Sequence, residues 1–262
     1  MYKSEIDKET TIMKIIEWNI NQRSNWNAEG SIPLWVGDEI NELKPDVAII
    51  TEFSKTLNWL DDFAYKLFEY NIFTSTNPEG NEILVAIKKE IKIIAIEELP
   101  IQQLSANFLQ IDVEYQSVPL TIIGIRIRVD DKDTQLNQLS TYLGSIDAEN
   151  VIVLGDFNVW YTWASKDKNW SLPQNYKING PKFKMNYNEW TSLTKWSFVF
   201  EDDTKGPIDF IVTKGVSIDK IDYLWNFLSN KEYKGCKNAD KYKGDDSGNP
   251  DHAILIAEIT CE

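Results

Sequence analysis

The chain has 262 residues, a formal net charge of −14, and 42% hydrophobic and 12% aromatic residues. That content suffices for a sizeable core, and no apolar run approaches the ~20 residues needed to span a bilayer. The acidity argues against a global basic face for duplex nucleic acid, because such binding replaces phosphate counterions with Lys and Arg. Residues 1–11 are charged and carry no apolar signal segment, so they are expected to be frayed. Residues 12–262 are expected to form one domain, since no linker, low-complexity tract or repeat divides them. Cys236 and Cys261 are not at metal-ligand spacing and pair only if the fold brings them together. The expectation is two reduced thiols in a cytoplasmic protein.

In chain order, Met13 to Asn21 alternates as a strand does and places Asn19 near the strand end. Pro33 to Leu43 predicts a helix with Ile40 and Leu43 facing inward, ended by Pro45-Asp46. Val47 to Thr51 is an apolar run that terminates in the carboxylate of Glu52. Asp133 to Ile146 predicts a second helix, with Leu136, Leu139 and Leu143 at spacings of three and four and acids at its start. It feeds the strand Val151 to Leu154, which ends in Gly155-Asp156-Phe157-Asn158. Asp156 and Asn158 share side-chain parity there. An anionic oxygen beside a neutral amide suits a hydrated divalent cation and the phosphate it polarises, although Gly-Asp and Asn are also ordinary turn formers. Pro207 to Val212 contains Asp209, and Asp251-His252 opens the final apolar run. His252 is the only histidine of the chain; a lone histidine is commonly a core or surface residue, but an acid beside it at a strand start favours chemistry.

Five landmarks in this order, around Asn19, Glu52, Asp156, Asp209 and Asp251, resemble the endonuclease/exonuclease/phosphatase superfamily. That group contains pancreatic-type deoxyribonuclease, abasic-site endonucleases, sphingomyelinases and inositol-polyphosphate phosphatases. The resemblance implies an α/β fold, a four-layer αββα sandwich of two packed mixed β-sheets flanked by helices. It implies that Asn81 to Ile87 is the strand before a central hairpin, formed by Ala106 to Val113 and Leu120 to Val129 with Ser117-Val118-Pro119 near its turn.

The resemblance also implies the site. Glu52 is the principal ligand of Mg²⁺, with Mn²⁺ as a substitute, and Asn19 and Asp251 lie near the metal. Asp156 orients or deprotonates the attacking water, and Asn158 holds a phosphate oxygen. Asp209 fixes the imidazole of His252, which serves as general base or stabilises charge at phosphorus. Asn19 and Trp160 are counted with the substrate-binding residues. The implied reaction is in-line attack of water on a phosphodiester of DNA or RNA. The alternatives are a phosphatase or phosphodiesterase for a small phosphorylated metabolite, nucleotide or lipid head group, and a catalytically weakened binding module.

One position departs from the family. Deoxyribonuclease-like members carry a second histidine on the hairpin strand, and Arg126 stands where it is expected. Arginine does not donate a proton readily but grips phosphate. Glu82 is the expected supporting carboxylate, forming an ion pair with Arg126. Engagement of Glu52 or Asp156 in internal salt bridges is the mark of the weakened module. Aromatics between Asn158 and Pro207 either stack on bases or pack the core; Trp160 and Trp163 are divided between cleft and core, and Trp190 and Trp196 are assigned to packing. Lys177, Lys182 and Lys184, and Lys231 to Lys243, form either local phosphate contacts or solvated loops.

Overall fold

The computed structural model describes residues 12–22, 32–55, 59–76, 82–97, 107–159, 170–181, 198–199, 205–232 and 250–261. The expected frayed segment 1–11 lies outside these residues, as do Trp160, Trp163, Trp190, Trp196, Lys182, Lys184 and Cys236. Cys261 is a free thiol. Among the described residues no helix is long and apolar enough to cross a membrane.

One six-stranded sheet is built from β1 (Ile12–Asn19), β2 (Val47–Phe53), β3 (Tyr70–Thr74), β4 (Glu82–Lys88), β13 (Val216–Leu224) and β14 (Ile254–Cys261), in the order β13-β14-β1-β2-β4-β3. The other is built from β5 (Lys92–Glu97), β6 (Asn107–Tyr115), β7 (Val118–Arg126), β8 (Val151–Asp156), β9 (Lys177–Asn179) and β12 (Asp209–Lys214), in the order β5-β6-β7-β8-β12-β9. A short ribbon pairs β10 (Phe198–Val199) with β11 (Lys205–Gly206). Each large sheet has one parallel pair, β1 with β2 and β7 with β8. A parallel pair needs a crossover, and α1 (Leu34–Leu43) and α3 (Lys132–Ser145) supply them, with the short α2 (Trp59–Asp62) between them in the chain.

Strand alternation sorts the side chains into layers. Ile122, Ile152, Leu154 and Ile211 of the second sheet join the core that faces Ile15, Ile49, Ile83 and Val85 of the first. Their odd-out neighbours Ile123, Ile125, Val151, Val153 and Val212 pack instead with Leu136, Leu139 and Leu143 of α3. On the far side, Trp35 of α1 meets Trp18 with ring centroids 5.9 Å apart. The expected αββα sandwich is therefore present, with both helices close to the expected ranges. Lys44, with φ 49°, caps α1 through its N–H to the Ile40 carbonyl at 3.1 Å.

The hairpin is also as expected, with its turn placed by two residues. Gln116 and Ser117 have φ of 48° and 70°, the paired positive values that match a two-residue turn to strand twist. The strand expected before the hairpin is β4, but it lies in the opposite sheet and β5 intervenes.

The two inner faces come close together at Gly124. A Cβ there would sit 2.8 Å from Ile83 Cγ2 and 3.0 Å from Ile49 Cγ2, so glycine is required for the sheets to meet two residues below Arg126. Gly124→Ala is expected to destabilise the protein by about 1–3 kcal/mol through overpacking. A urea unfolding midpoint that does not fall would show that the sheets separate there without cost.

Candidate active site

The polar strand ends gather at one end of the sandwich because register aligns them. Asn107 pairs with Arg126, Arg126 with Asp156, and Asp156 with Asp209, so one row crosses β6, β7, β8 and β12. All four share the inward parity of the apolar residues below them. The first sheet answers with Glu17 and Asn19 of β1, Glu52 of β2, and Asp251-His252 just before β14. Every one of these residues is buried.

Glu52 reaches this face only through a backbone irregularity. Simple alternation would send it outward with Ile50. Its φ is 49°, and the β2–β4 register shifts between Ile50 and Phe53; this bulge re-aims the side chain. Its Oε1 accepts a short, charge-assisted hydrogen bond from Nη2 of Arg126.

One strand of each parallel pair, β1 and β8, ends in the same kind of turn. Asn19 Oδ1 accepts from the Asn21 N–H at 3.0 Å, and Asp156 Oδ1 accepts from the Asn158 N–H at 2.9 Å. In both turns the second Asn is left-handed, φ 51°, which Asn tolerates and its own turn hydrogen bond favours. Asp156 Oδ2 accepts from Asn158 Nδ2 at 2.9 Å and from Asn19 Nδ2 at 3.2 Å. Asn158 Nδ2 also donates to the Ile127 carbonyl at 2.6 Å. Its amide donors thus hold Asp156 and the chain after β7.

Asp209 fixes His252 as expected, with Nδ1 2.9 Å from Oδ2 and 3.1 Å from Oδ1. Nε2 of His252 lies 4.0 Å from Asp251 Oδ1 and 3.4 Å from Asn19 Nδ2. Burial opposes the charge on His252, but the Asp209 carboxylate outweighs it, with Asp251 and Asp156 assisting, and the imidazole is pushed up to about 10. Burial first, then Asp209, raises Asp156 to about 6, against the pull of His252 and Arg126.

The expected Glu82–Arg126 pair is absent. Ile83 packs against the Gly124 position on the inner face, so its neighbour Glu82 points to the other face of β4. There Oε2 accepts from the Lys55 N–H at 3.3 Å, and Oε1 lies 3.8 Å from Lys55 Nζ. Arg126 pairs with Glu52 instead, and its Nε is 3.8 Å from Asp156 Oδ2.

The sequence landmarks leave out two polar residues of this end, Glu17 and Asn107. Glu17 is fully buried, accepts from Thr51 Oγ1 at 2.8 Å, and burial together with the charge of Asp209 holds its carboxyl well above the usual range. Its signal was available, since Glu17 lies two residues before Asn19 on the same face. Asn107 has no motif around it, and only its register opposite Arg126 reveals it. Trp170, by contrast, is core: it packs 6.1 Å from Phe157 and 6.4 Å from Phe210.

Two donor sets suggest a cation. Asp156, Asp209 and His252 present ligand atoms within 4.8 Å of one another. Within that trio the Nδ1 of His252 is already held by Asp209. Glu52, Asp251 and the amide oxygen of Asn19 are hard oxygen donors, of the chemistry that Mg²⁺ or Mn²⁺ takes.

Two mixed sheets face to face, with an acid–amide–imidazole cluster at one end, define the class of scaffold. The chain belongs to the Endonuclease/Exonuclease/phosphatase family, whose profile matches residues 18–229. No curated protein sequence matches it. Solved structures of similar fold include TDP2 from D. rerio complexed with single-strand DNA product, with 15% identity over 95% of this chain and 99% of that one and a TM-score of 0.63. ANGEL2, a 2′,3′-cyclic phosphatase, in complex with adenosine-2′,3′-vanadate has 11% identity over 97% of each chain and a TM-score of 0.65. The endonuclease/exonuclease/phosphatase from Bacteroides vulgatus has 13% identity over 96% of this chain and 100% of that one, with a TM-score of 0.60.

The raised imidazole has a thermodynamic consequence. His252 moves from 6.5 to about 10 on folding, so its stabilising contribution is fully present below pH 6.5 and is lost as pH rises through about 10. Thermal melts in chelator should therefore show a fall in Tm across this window that His252→Gln flattens. Parallel wild-type and variant curves would refute the Asp209–His252 assignment.

Proposed function

We propose that this chain, acting from residue 12 as one catalytic domain, is a divalent-metal-dependent phosphodiesterase with nuclease activity on DNA or RNA. The observation that carries this reading is the convergence of Asn19, Glu52, Asp156, Asp209, Asp251 and His252 from both sheets into one buried cluster. A structural core has no use for so many ionisable groups, each of which costs free energy to desolvate.

A divalent ion held by Glu52, Asp251 and Asn19 would supply positive charge to the phosphoryl oxygens. Asp156, held by Asn19 and Asn158 and titrating at about 6, is ionised at neutral pH and takes the proton of the attacking water. His252 is already protonated there. It therefore acts as a hydrogen-bond donor to the charge developing at phosphorus, leaving the role of general base to Asp156. Asp209 keeps that imidazolium oriented through Nδ1. The products are an alcohol and a phosphomonoester.

A second reading has one observation in its favour: Glu52 is engaged by Arg126, as a weakened binding module would have it. Hydrolysis separates the two. Plasmid DNA, single-stranded RNA, a dinucleotide and inositol phosphates are offered with Mg²⁺ or Mn²⁺, and cleavage of a nucleic acid is expected. Asp156→Asn and His252→Ala should each lower turnover by roughly two orders of magnitude or more, with smaller changes in KM. Cleavage confined to inositol phosphates would move the substrate to the small-molecule class, and no cleavage of any substrate would favour the module.

A further inference from the structure

Arg126 and Asn107 face each other across β6 and β7 and are both buried, 6% and 2% exposed. Arg126 hydrogen-bonds Glu52 through Nη2, yet its buried Nε, 3.8 Å from Asp156 Oδ2, has no hydrogen-bond partner among the described residues. Neither the nitrogen nor the oxygen of the buried Asn107 amide has one either. Buried polar groups are nearly always hydrogen-bonded, so such a group calls for an explanation. Here an unsatisfied donor and an unsatisfied acceptor sit on directly opposite residues, whose Cβ atoms are about 4.5–5.5 Å apart in an antiparallel pair.

The remaining surroundings explain why they do not meet. On the other flank of Arg126 stand Asp156, its partner across β8, and Glu52 from the facing sheet. The guanidinium is drawn to these carboxylates and away from Asn107. A divalent ion bound to Glu52 would change that balance. Two cations on one buried carboxylate repel strongly at low dielectric, and Glu52 is fixed by its bulge while arginine has a long rotatable stem.

We propose that Arg126 is an internal cation that occupies Glu52 until a divalent metal takes that carboxylate, and that Asn107 Oδ1 then receives the displaced guanidinium. This rests on the reading of Glu52 as a metal ligand. Arg126 is thereby a competitor of the metal, and Asn107 a positioning residue that lowers the cost of releasing it. Once turned, the guanidinium carries its charge to the Asn107 side of the row, where it can meet a phosphate of the substrate.

The test is Mn²⁺ binding to the full chain, followed by electron paramagnetic resonance of the free ion. Arg126→Met should tighten binding by about tenfold or more, equivalent to at least about 1.4 kcal/mol. Asn107→Leu should weaken it about threefold or more while Arg126 is present, and should change nothing in the Arg126→Met background, the signature of coupled residues. The Arg126 Nε–H resonance should shift with Mg²⁺ at the same midpoint as metal binding. If Arg126→Met fails to fold, Arg126→Lys serves: its ammonium lacks the planar fork and should give an intermediate gain.

Unchanged or weaker Mn²⁺ affinity in the folded arginine variant overturns the proposal. So does an Asn107→Leu effect that persists without Arg126. Should wild type hydrolyse the panel with metal while these outcomes hold, only the competition falls. If neither wild type nor Arg126→Met binds Mn²⁺, the metal reading of Glu52 falls with it.

Discussion

Mutual repulsion among five buried carboxylates, Glu17, Glu52, Asp156, Asp209 and Asp251, is the constraint to which this end of the molecule answers. Burial removes the water that would screen them, so each must find a cation, a donor or a proton. Asp209 takes His252 and Glu52 takes Arg126. Asp156 is held by two asparagine amides, and the carboxyl of Glu17 is driven toward its neutral form beside Thr51. Removing one member from such a set leaves another charge uncompensated, so the cluster behaves as a unit.

The scaffold places this cluster by using one device twice. Each sheet contains a parallel pair joined by a helix, and the chain after β1 and after β8 turns on an Asn or Asp that accepts the backbone N–H two residues on. Close approach of the inner faces at Gly124 brings the two ends together. Rigid strands below and short Asx turns above hold the polar atoms to a narrow geometry, as a pre-organised site requires. Arg126 on the hairpin strand then gives the fold a cation of its own at this end.

Much was legible from residue order alone. Apolar runs ending in Asn19, Glu52 and Asp156 marked strand ends, and helical spacing of Leu136, Leu139 and Leu143 marked the crossover over the second sheet. Both signals are local, since period 2 and period 3.6 record which side of an element is buried. The Asp-His pair before β14 was legible as a site, and the structure assigns Asp209, 43 residues away, as its partner.

Tertiary structure alone decided how Glu52, Glu82 and Arg126 pair. Glu82 and Glu52 look equivalent in sequence, each a carboxylate at one end of an apolar strand. Regular alternation turns Glu82 away to Lys55, whereas the left-handed bulge turns Glu52 inward to Arg126. Asn107 enters only because β6 and β7 pair in a register that sets it opposite Arg126. Residue identity and period thus determined the strands, the crossovers and the stock of ionisable groups, because those follow from burial along the chain. Charge pairing and the state of each titrating group depend on bulges, register and the spacing of two sheets, which no single segment of the chain encodes.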